Sequence, residues 1–357
     1  MTIPPPDGSF PAPGHSRIRR LLDDLVRVQD APHAHRVAVR AAIAVLLPLL
    51  ALWSTGRLDL AAYATFGAFA SVYGGGARTP HRWRTQTELA VILTLAVASG
   101  ALVALSPQRS WWAIPVAAGW ASFAAARSDR RRWRPPGPMF PVFAVATAAA
   151  IPSTPGQVLA ATALTAATAA LAIALGVVEV VLIKHTGIRP PDPPAAPLPS
   201  MPSRARQRIH LVRCGIVVLA AGTIATASGI GHPYWAIVAS VTPLTVFTFR
   251  GQVVRGIHRV LGTMAGLLLA GALLLLALPA FAVVIIIAAL QAATELLVVR
   301  HYGLALIFIT PLALLSVQLA HPEPIHTLLA DRFAETLIGV GVGVVAAVLT
   351  RNREIAG

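Results

Sequence analysis

The sequence predicts an all-α, polytopic membrane protein with twelve transmembrane helices arranged as two parallel six-helix repeats. Composition, the alternation of basic loops and internal similarity carry this prediction. Hydrophobic residues make up 56% of the 357 residues and charged residues only 12%, whereas a soluble domain carries about 25% charged residues. The apolar residues form continuous runs rather than one-sided stripes, which is typical of helices surrounded by lipid.

Twelve apolar runs approach or exceed the length needed to cross a bilayer, about 20 residues. They cover 37–55, 59–76, 87–106, 111–127, 138–152 and 157–183, then 210–228, 233–249, 257–278, 280–299, 302–320 and 326–350. The chain is thereby divided into a cytoplasmic tail (1–35), a first six-helix repeat (36–184), a linker (185–207), a second repeat (208–350) and a second tail (351–357). The linker is rich in proline, which removes backbone donors and prevents a continuous helix.

The basic residues predict which side of the membrane each loop faces. All but three of the 29 lysines and arginines lie at or near one side; the exceptions are Arg57, Arg109 and Arg332. Because cytoplasmic loops carry an excess of lysine and arginine, both termini are expected on the cytoplasmic side of a bacterial inner membrane. This alternation explains the net charge of +15 without nucleic acid as a partner.

Two smaller features have more than one interpretation. Residues 17–29 place Ile18, Leu21, Leu22 and Leu25 on one face beside arginines, which indicates either an interfacial helix on anionic headgroups or a solvated lead-in. The lone cysteine, Cys214, lies inside an apolar run and is interpreted as a small residue in helix packing.

The two halves resemble each other at a nearly constant offset. The matched residues are Arg40 with Arg213, Tyr63 with Tyr234, and Arg84 with Arg259. Since each half has six predicted spans, both enter the membrane in the same orientation and are expected to be related by a pseudo-twofold axis along the membrane normal. A substrate route is then expected at the interface between the halves.

Ionisable residues within the runs are the first candidates for function, because they are costly in lipid and usually face the protein interior. Glu335 is the deepest acid, and Arg332 lies closer to the external end of the same run. Glu335 is interpreted as a coupling or gating residue, or as half of a structural ion pair.

Six further charged residues allow two interpretations each. Arg40 and Arg213 lie about one turn inside the cytoplasmic end of their runs and either snorkel to headgroups or form cationic rings that attract anions. Arg84 and Arg259 allow the same choice. Glu295 and Arg300 flank the end of the tenth run and are interpreted as pathway residues or as a pair.

Three uncharged residues complete the candidate pathway. Tyr234 and Trp235 are interpreted as aromatics at the membrane interface or as stacking partners for a ring-bearing substrate. Thr310 precedes Pro311 and is expected to satisfy freed backbone or to contact a ligand, because proline-interrupted spans often mark a binding region.

Sequence motifs of the common enzyme classes do not occur. The chain has no GxxxxGK[ST] phosphate loop, HExxH, CxxC or GxSxG, so we expect neither an enzyme nor a cofactor. His232, His321 and His326 are expected in external loops and lack the spacing of metal ligands.

Several segments resemble the fusaric acid resistance (FUSC) family of the aromatic acid exporter group. They are YATFGAFASVYGGG (63–76), HPYWAIVASVTPL (232–244), HRVLGTMAG (258–266), RHYGLALIFITPLALL (300–315) and DRFAETLIGVGVG (331–343). The acid of the last segment is commonly Asp in the family, whereas Glu335 stands here. Larger members carry a soluble domain where this chain has only the linker.

The resemblance implies a transporter that exports aromatic or other hydrophobic organic anions, with a lipid bilayer and a small organic anion as partners. Distant plant relatives conduct malate through arginine-lined dimeric pores, so a homo-oligomer is an open alternative. We expect a secondary carrier driven by the proton gradient, with Glu335 as its protonation site. The alternatives are a passive organic-anion channel and a membrane scaffold or envelope factor without transport.

Overall fold

A computed structural model describes residues 13–31, 34–74, 82–186 and 204–351. Every regular element within these ranges is helical. Most of the predicted linker, the loop at 75–81 and the outermost residues of both tails lie outside the described residues.

The helices follow the order of the predicted runs, with one additional helix before them. They are α1 (Pro13–Val26), α2 (Ala34–Ser54), α3 (Ala61–Ala68), α4 (Arg82–Val103), α5 (Arg109–Arg131), α6 (Met139–Ala150), α7 (Pro155–Thr186), α8 (Arg204–Ala227), α9 (Tyr234–Val241), α10 (Phe249–Leu275), α11 (Ala280–Val298), α12 (Tyr302–Ala320) and α13 (Ile325–Thr350).

Eight of these helices are long and apolar enough to cross a membrane, namely α2, α4, α7, α8, α10, α11, α12 and α13. Helix α5 has 23 residues but ends in charged side chains, including Arg127 and Asp129. Helix α6, as expected from its short run, has only 12 residues. Twelve complete crossings therefore remain a prediction.

The second and eighth predicted runs do not form single spanning helices. Helix α3 passes into a 3-10 turn at Phe69–Val72, and Gly74 then adopts a positive φ of 75° that ends the helical path. After α9, Pro243 begins another 3-10 turn. The Thr248 side chain then accepts the N–H of Gly251 and caps α10, which therefore begins eight residues earlier than predicted.

Both short helices lie inside the protein. Every residue of α3 apart from Ala62 is buried, and so is every residue of α9. Helix α3 packs against α7 and α2, while α9 packs against α13 and α8. Broken helices at membrane depth are tolerated where they are buried in protein or line a cavity, and both of these are enclosed.

Helices of the first half pack against helices of the second half. Helix α5 of the first half packs against α8 of the second, and α11 of the second packs against α2 of the first. Helix α6 likewise contacts α9, and α12 contacts α3. The halves are therefore interleaved around a shared core.

The predicted N-terminal helix is present as α1, and the chain after it is tied to the second half. Its Leu25 carbonyl accepts hydrogen bonds from His258 Nε2 (3.0 Å) and His301 Nε2 (2.8 Å). The N–H of Gln29 donates to the Arg300 carbonyl at 2.9 Å. These contacts hold the N-terminal segment against the ends of α10 and α12.

Candidate functional site

Two oppositely charged side chains of α13 are buried together. Arg332 is 2% exposed and Glu335 is 0% exposed. The Glu335 carboxylate accepts the main-chain N–H of His232 at 3.0 Å. That N–H immediately precedes α9, whose N-terminal end carries a partial positive charge, so the carboxylate lies where the helix favours an anion.

His232 lies between two further carboxylates. Its Nδ1 is 3.0 Å from Oδ2 of Asp331, and its Nε2 is 3.2 Å from Oε2 of Glu323. The side chains are 37% exposed at Glu323, 9% at His232 and 15% at Asp331. An exposed acid is thus connected through an imidazole to the buried part of α13.

Aromatic side chains at the start of α9 pack against His232 and Arg332. The imidazole of His232 is stacked on Trp235 with ring centroids 4.8 Å apart, and the Arg332 guanidinium lies 4.7 Å from the same ring. Trp235 is 0% and Tyr234 5% exposed. The interpretation of these two residues as aromatics at the membrane interface is therefore wrong, because both are enclosed by protein.

Two further guanidinium groups, those of Arg255 and Arg259, belong to α10. Arg259 is 3% exposed and donates to the Tyr302 hydroxyl at 3.3 Å. Arg255 lies 4.1 Å from the ring of that same Tyr302. Arg259 is close enough to Arg332 to interact with it electrostatically. The interior thus contains a series of guanidiniums, in which Arg332 interacts with both Glu335 and Arg259 and Arg255 shares Tyr302 with Arg259.

Comparison with known proteins assigns this part of the chain. Residues 219–346 match the model of the family described as fusaric acid resistance protein-like. This second-half segment is similar to that family. The match confirms the resemblance for the four segments at 232–343 and does not include the segment at 63–76, and it contains the whole Glu335 site.

One curated relative and the structure comparison complete the picture. The uncharacterized membrane protein YvaC of Bacillus subtilis (strain 168) is 31% identical over 146 residues, which cover 41% of this chain and 23% of that protein. The match thus spans less than a quarter of the relative. No solved structure matches this chain. The apolar helices and these similarities identify a multi-pass integral membrane protein.

Within the fusaric acid resistance protein-like segment, Thr310 packs at a close helix crossing. It is 0% exposed, and a side chain added at Gly266 of α10 would meet its Cβ atom. The Thr310 hydroxyl makes no hydrogen bond among the described residues. It lies at the contact between α10 and α12.

Glu295 and Arg300 are not brought together as the pair that the sequence allowed. Glu295 accepts a hydrogen bond from Gln291 at 2.9 Å and lies within electrostatic range of Arg40. Arg300 instead donates to the Ala31 carbonyl at 3.4 Å. Glu295 thus belongs to the interior, while Arg300 holds the N-terminal segment.

Arg40 lies outside the matched segment and does not snorkel, because its side chain is only 4% exposed. It forms an ion pair with Glu179 of α7 and donates from Nε (3.1 Å) and Nη2 (3.0 Å) to the Ser71 carbonyl. Glu179 also pairs with Arg82 at 3.2 Å. The charge of Arg40 is therefore matched by neighbouring acids, which weakens the hypothesis of an anion-attracting ring there.

Arg213 is the residue that the sequence comparison of the two halves matched to Arg40. It is 4% exposed and donates to the Thr350 hydroxyl of α13 at 2.9 Å. Snorkelling is therefore also the wrong interpretation for Arg213. Arg84 differs from both, since it is exposed and lies 5.4 Å from the ring of Trp83, away from the buried groups.

Sequence reasoning missed the central place of His232 and Glu323. It placed His232 in an external loop and gave it no role. The residue does lie in the connection between α8 and α9, but its imidazole is buried and in contact with two acids. The only signal was its position directly before the Pro-Tyr-Trp start of α9. Among the described residues, no group of three or more His, Cys, Asp or Glu could hold a metal ion.

Proposed function

We propose that this protein is a proton-coupled secondary carrier that exports aromatic or other hydrophobic organic anions across a bacterial inner membrane. The observation that carries the proposal is the burial of Arg259 and Arg332, which interact electrostatically with each other while Arg332 also interacts with Glu335. Two buried guanidiniums close to each other attract an anion, since uncompensated charge is costly in a membrane interior. The family match supports an organic acid as that anion.

The aromatic surroundings suit a substrate with a ring. Trp235 and Tyr234 lie beside Arg332, and Tyr302 lies between Arg255 and Arg259. Guanidinium groups bind carboxylates through paired N–H donors, and aromatic rings stack at centroid separations of about 4.5–7 Å. The cluster thus combines the two kinds of contact that an aromatic carboxylate needs.

Glu335 is the proposed protonation site. When it is ionised, its carboxylate lies beside Arg332 and competes with an incoming anion; when it is protonated, that negative charge is removed. Proton binding and anion binding therefore influence each other, and this coupling is reciprocal. A passive channel would have no need of such a group.

The proposal includes a two-repeat architecture with both termini cytoplasmic. Three packing relationships recur in the two halves, namely α2–α11 with α5–α8, α3–α7 with α9–α13, and α4–α6 with α10–α12. At the residue level, Arg40 contacts Glu179 where Arg213 contacts Thr350. These recurrences support a pseudo-twofold axis between the halves, and the short buried helices α3 and α9 lie at corresponding positions.

Flux from proteoliposomes tests the proposal. Purified protein is reconstituted in liposomes loaded with a panel of aromatic and aliphatic carboxylates, with and without an imposed proton gradient. We expect at least one aromatic carboxylate to move faster with the gradient, and Glu335→Gln to abolish that acceleration. Flux at the same rate with and without the proton gradient would indicate a passive organic-anion channel. Folded protein that transports none of the carboxylates would favour a membrane scaffold without transport activity.

A further inference from the structure

We propose that Glu323, His232 and Asp331 form a proton relay that connects the outer end of α13 with Glu335. The inference rests on the proposed function, since it supplies protons to the site that couples them to transport. Neither the family match nor the relative assigns a role to these residues. The geometry that carries it is the pair of contacts that His232 makes with Glu323 and Asp331, together with the position of Asp331 one helical turn from the buried Glu335.

The contacts are short enough for proton transfer at two successive steps. Glu323 Oε2 lies 3.2 Å from His232 Nε2, and His232 Nδ1 lies 3.0 Å from Asp331 Oδ2. Both lie within the separation expected of a general acid and base, about 2.6–3.2 Å. An imidazole is suited to this place because it binds a proton at one nitrogen and releases another from the opposite side.

The last step runs along α13. Asp331 and Glu335 are four residues apart, so they share one face of the helix. They also lie within electrostatic range of each other. The relay we propose includes one water between the two carboxyl groups, through which the proton passes from Asp331 to Glu335.

The proton balance of the relay closes. The Glu323 carboxylate takes up a proton from water and gives it to Nε2 of His232, the imidazolium gives the Nδ1 proton to the Asp331 carboxylate, and Asp331 passes it to the Glu335 carboxylate. Glu323, His232 and Asp331 end in their starting charge states. The imidazole ends neutral with its proton on Nε2 instead of Nδ1, and exchange of the proton between the two nitrogens through water restores the starting tautomer. The reverse order carries a proton outward.

The groups around His232 are compatible with this role. The titratable or charged residues near it or near Glu335 are Glu323, Asp331, Arg332, Tyr234 and, through Arg332, Arg259. The acids contact the imidazole nitrogens, whereas Arg332 lies at the ring of Trp235. A purely structural histidine needs only one such acceptor, and here both ring nitrogens face carboxylates.

Two transport assays on the full chain separate a relay from a structural contact. The first measures carboxylate flux driven by a proton gradient, and the second measures exchange of labelled for unlabelled carboxylate at equal pH, which needs no net proton movement. We expect His232→Gln to lose the first activity and retain the second. The exposed histidine of the same region, His326, provides the matched control His326→Gln, which is expected to retain both.

A rescue experiment adds a readout that a structural role would not give. In the variant His232→Ala, imidazole added to the buffer is expected to restore part of the gradient-driven flux, because it carries protons through the vacated space. The equally sized but non-titrating probe pyrrole is expected to restore none.

Each contrary outcome overturns the relay. If His232→Gln retains gradient-driven flux, the relay is refuted while the proposed function stands. If the variant loses both activities and imidazole restores neither, His232 is a structural residue. If the wild-type protein shows no gradient-driven flux, the proposed function fails and the relay fails with it.

Discussion

The main-chain N–H of His232 lies 3.0 Å from Oε1 of Glu335, although 103 residues separate the two in the chain. The contact joins the start of the short buried helix α9 to the middle of α13. A carboxylate that would be costly in lipid is thereby placed at a helix N-terminus. The site owes its geometry to the way α9 and α13 pack, and the first prediction tests that packing.

Two glycines of α13 are expected to respond oppositely to the same substitution. A Cβ atom at Gly339 would meet the Ala236 carbonyl and lie 2.6 Å from Ala239 Cβ on α9, whereas at Gly341 it would meet nothing within 4 Å. Gly339→Ala should lower stability by about 1–3 kcal/mol through overpacking. Gly341→Ala should be neutral or stabilising by up to about 1 kcal/mol through helix propensity. Thermal unfolding in detergent measures both, and equal effects would contradict the packing of α9 on α13.

The ion pairs of Glu179 predict that its loss destabilises the protein more than the loss of one of its partners, Arg82. Glu179→Gln leaves both Arg40 and Arg82 without this carboxylate, and should cost about 3 kcal/mol, the low end for a buried pair, since the Glu179 side chain is 19% exposed. Arg82→Gln leaves the pair of Arg40 with Glu179 intact and should cost less. Thermal unfolding of the two variants compares them. A larger loss for Arg82→Gln would show that Glu179 is not the centre of the cluster.

The attachment of the N-terminal segment should depend on His258. His258→Phe keeps a ring beside His301 but removes one of the two hydrogen bonds to the Leu25 carbonyl. A hydrogen bond contributes about 1 kcal/mol, so the detached state should become about five times more populated. Limited trypsin cleavage at Arg27 reports that population.

Asp24→Asn provides the control for this cleavage experiment. It removes an ion pair with Arg250 in which both side chains are more than one third exposed, and such pairs contribute about 0–1 kcal/mol. We therefore expect a smaller increase in cleavage. If His258→Phe is cleaved no faster than the wild-type protein, the histidine contacts do not hold the segment.

The predicted topology is tested with two equally accessible positions. The side chains of Arg57 and Arg131 are 53% and 58% exposed, yet their loops are predicted on opposite sides of the membrane. In a Cys214→Ala background, a membrane-impermeant maleimide should label Arg57→Cys in intact cells and Arg131→Cys only after permeabilisation. The native Cys214 is 0% exposed and should react only after denaturation. Labelling of both positions from outside would refute the topology.

The sequence predicted what depends on local pattern and missed what depends on distant neighbours. The burial of Glu335 followed from its depth in an apolar run. The pairing of His232 did not, because Asp331 and Glu323 come from the opposite end of the second half. Likewise, hydropathy averages composition over a window of residues. The predicted run 233–249 therefore joined α9 to the segment after Pro243, and the end of the helix before Pro243 was not detected. Similarity between the halves matched Arg84 with Arg259, yet Arg84 is exposed and Arg259 is buried. Such similarity does not fix the direction of a side chain.

The most direct test of the central claim is whether an anion gradient moves protons through Glu335. Proteoliposomes carry a trapped pH-sensitive dye and a gradient of the aromatic carboxylate that gives the fastest flux, with a permeant ion present to collapse the membrane potential. The account predicts a change in internal pH with the wild-type protein and no change above protein-free liposomes with Glu335→Gln. Rapid anion flux through the wild-type protein without a change in internal pH would contradict proton coupling and identify a passive channel.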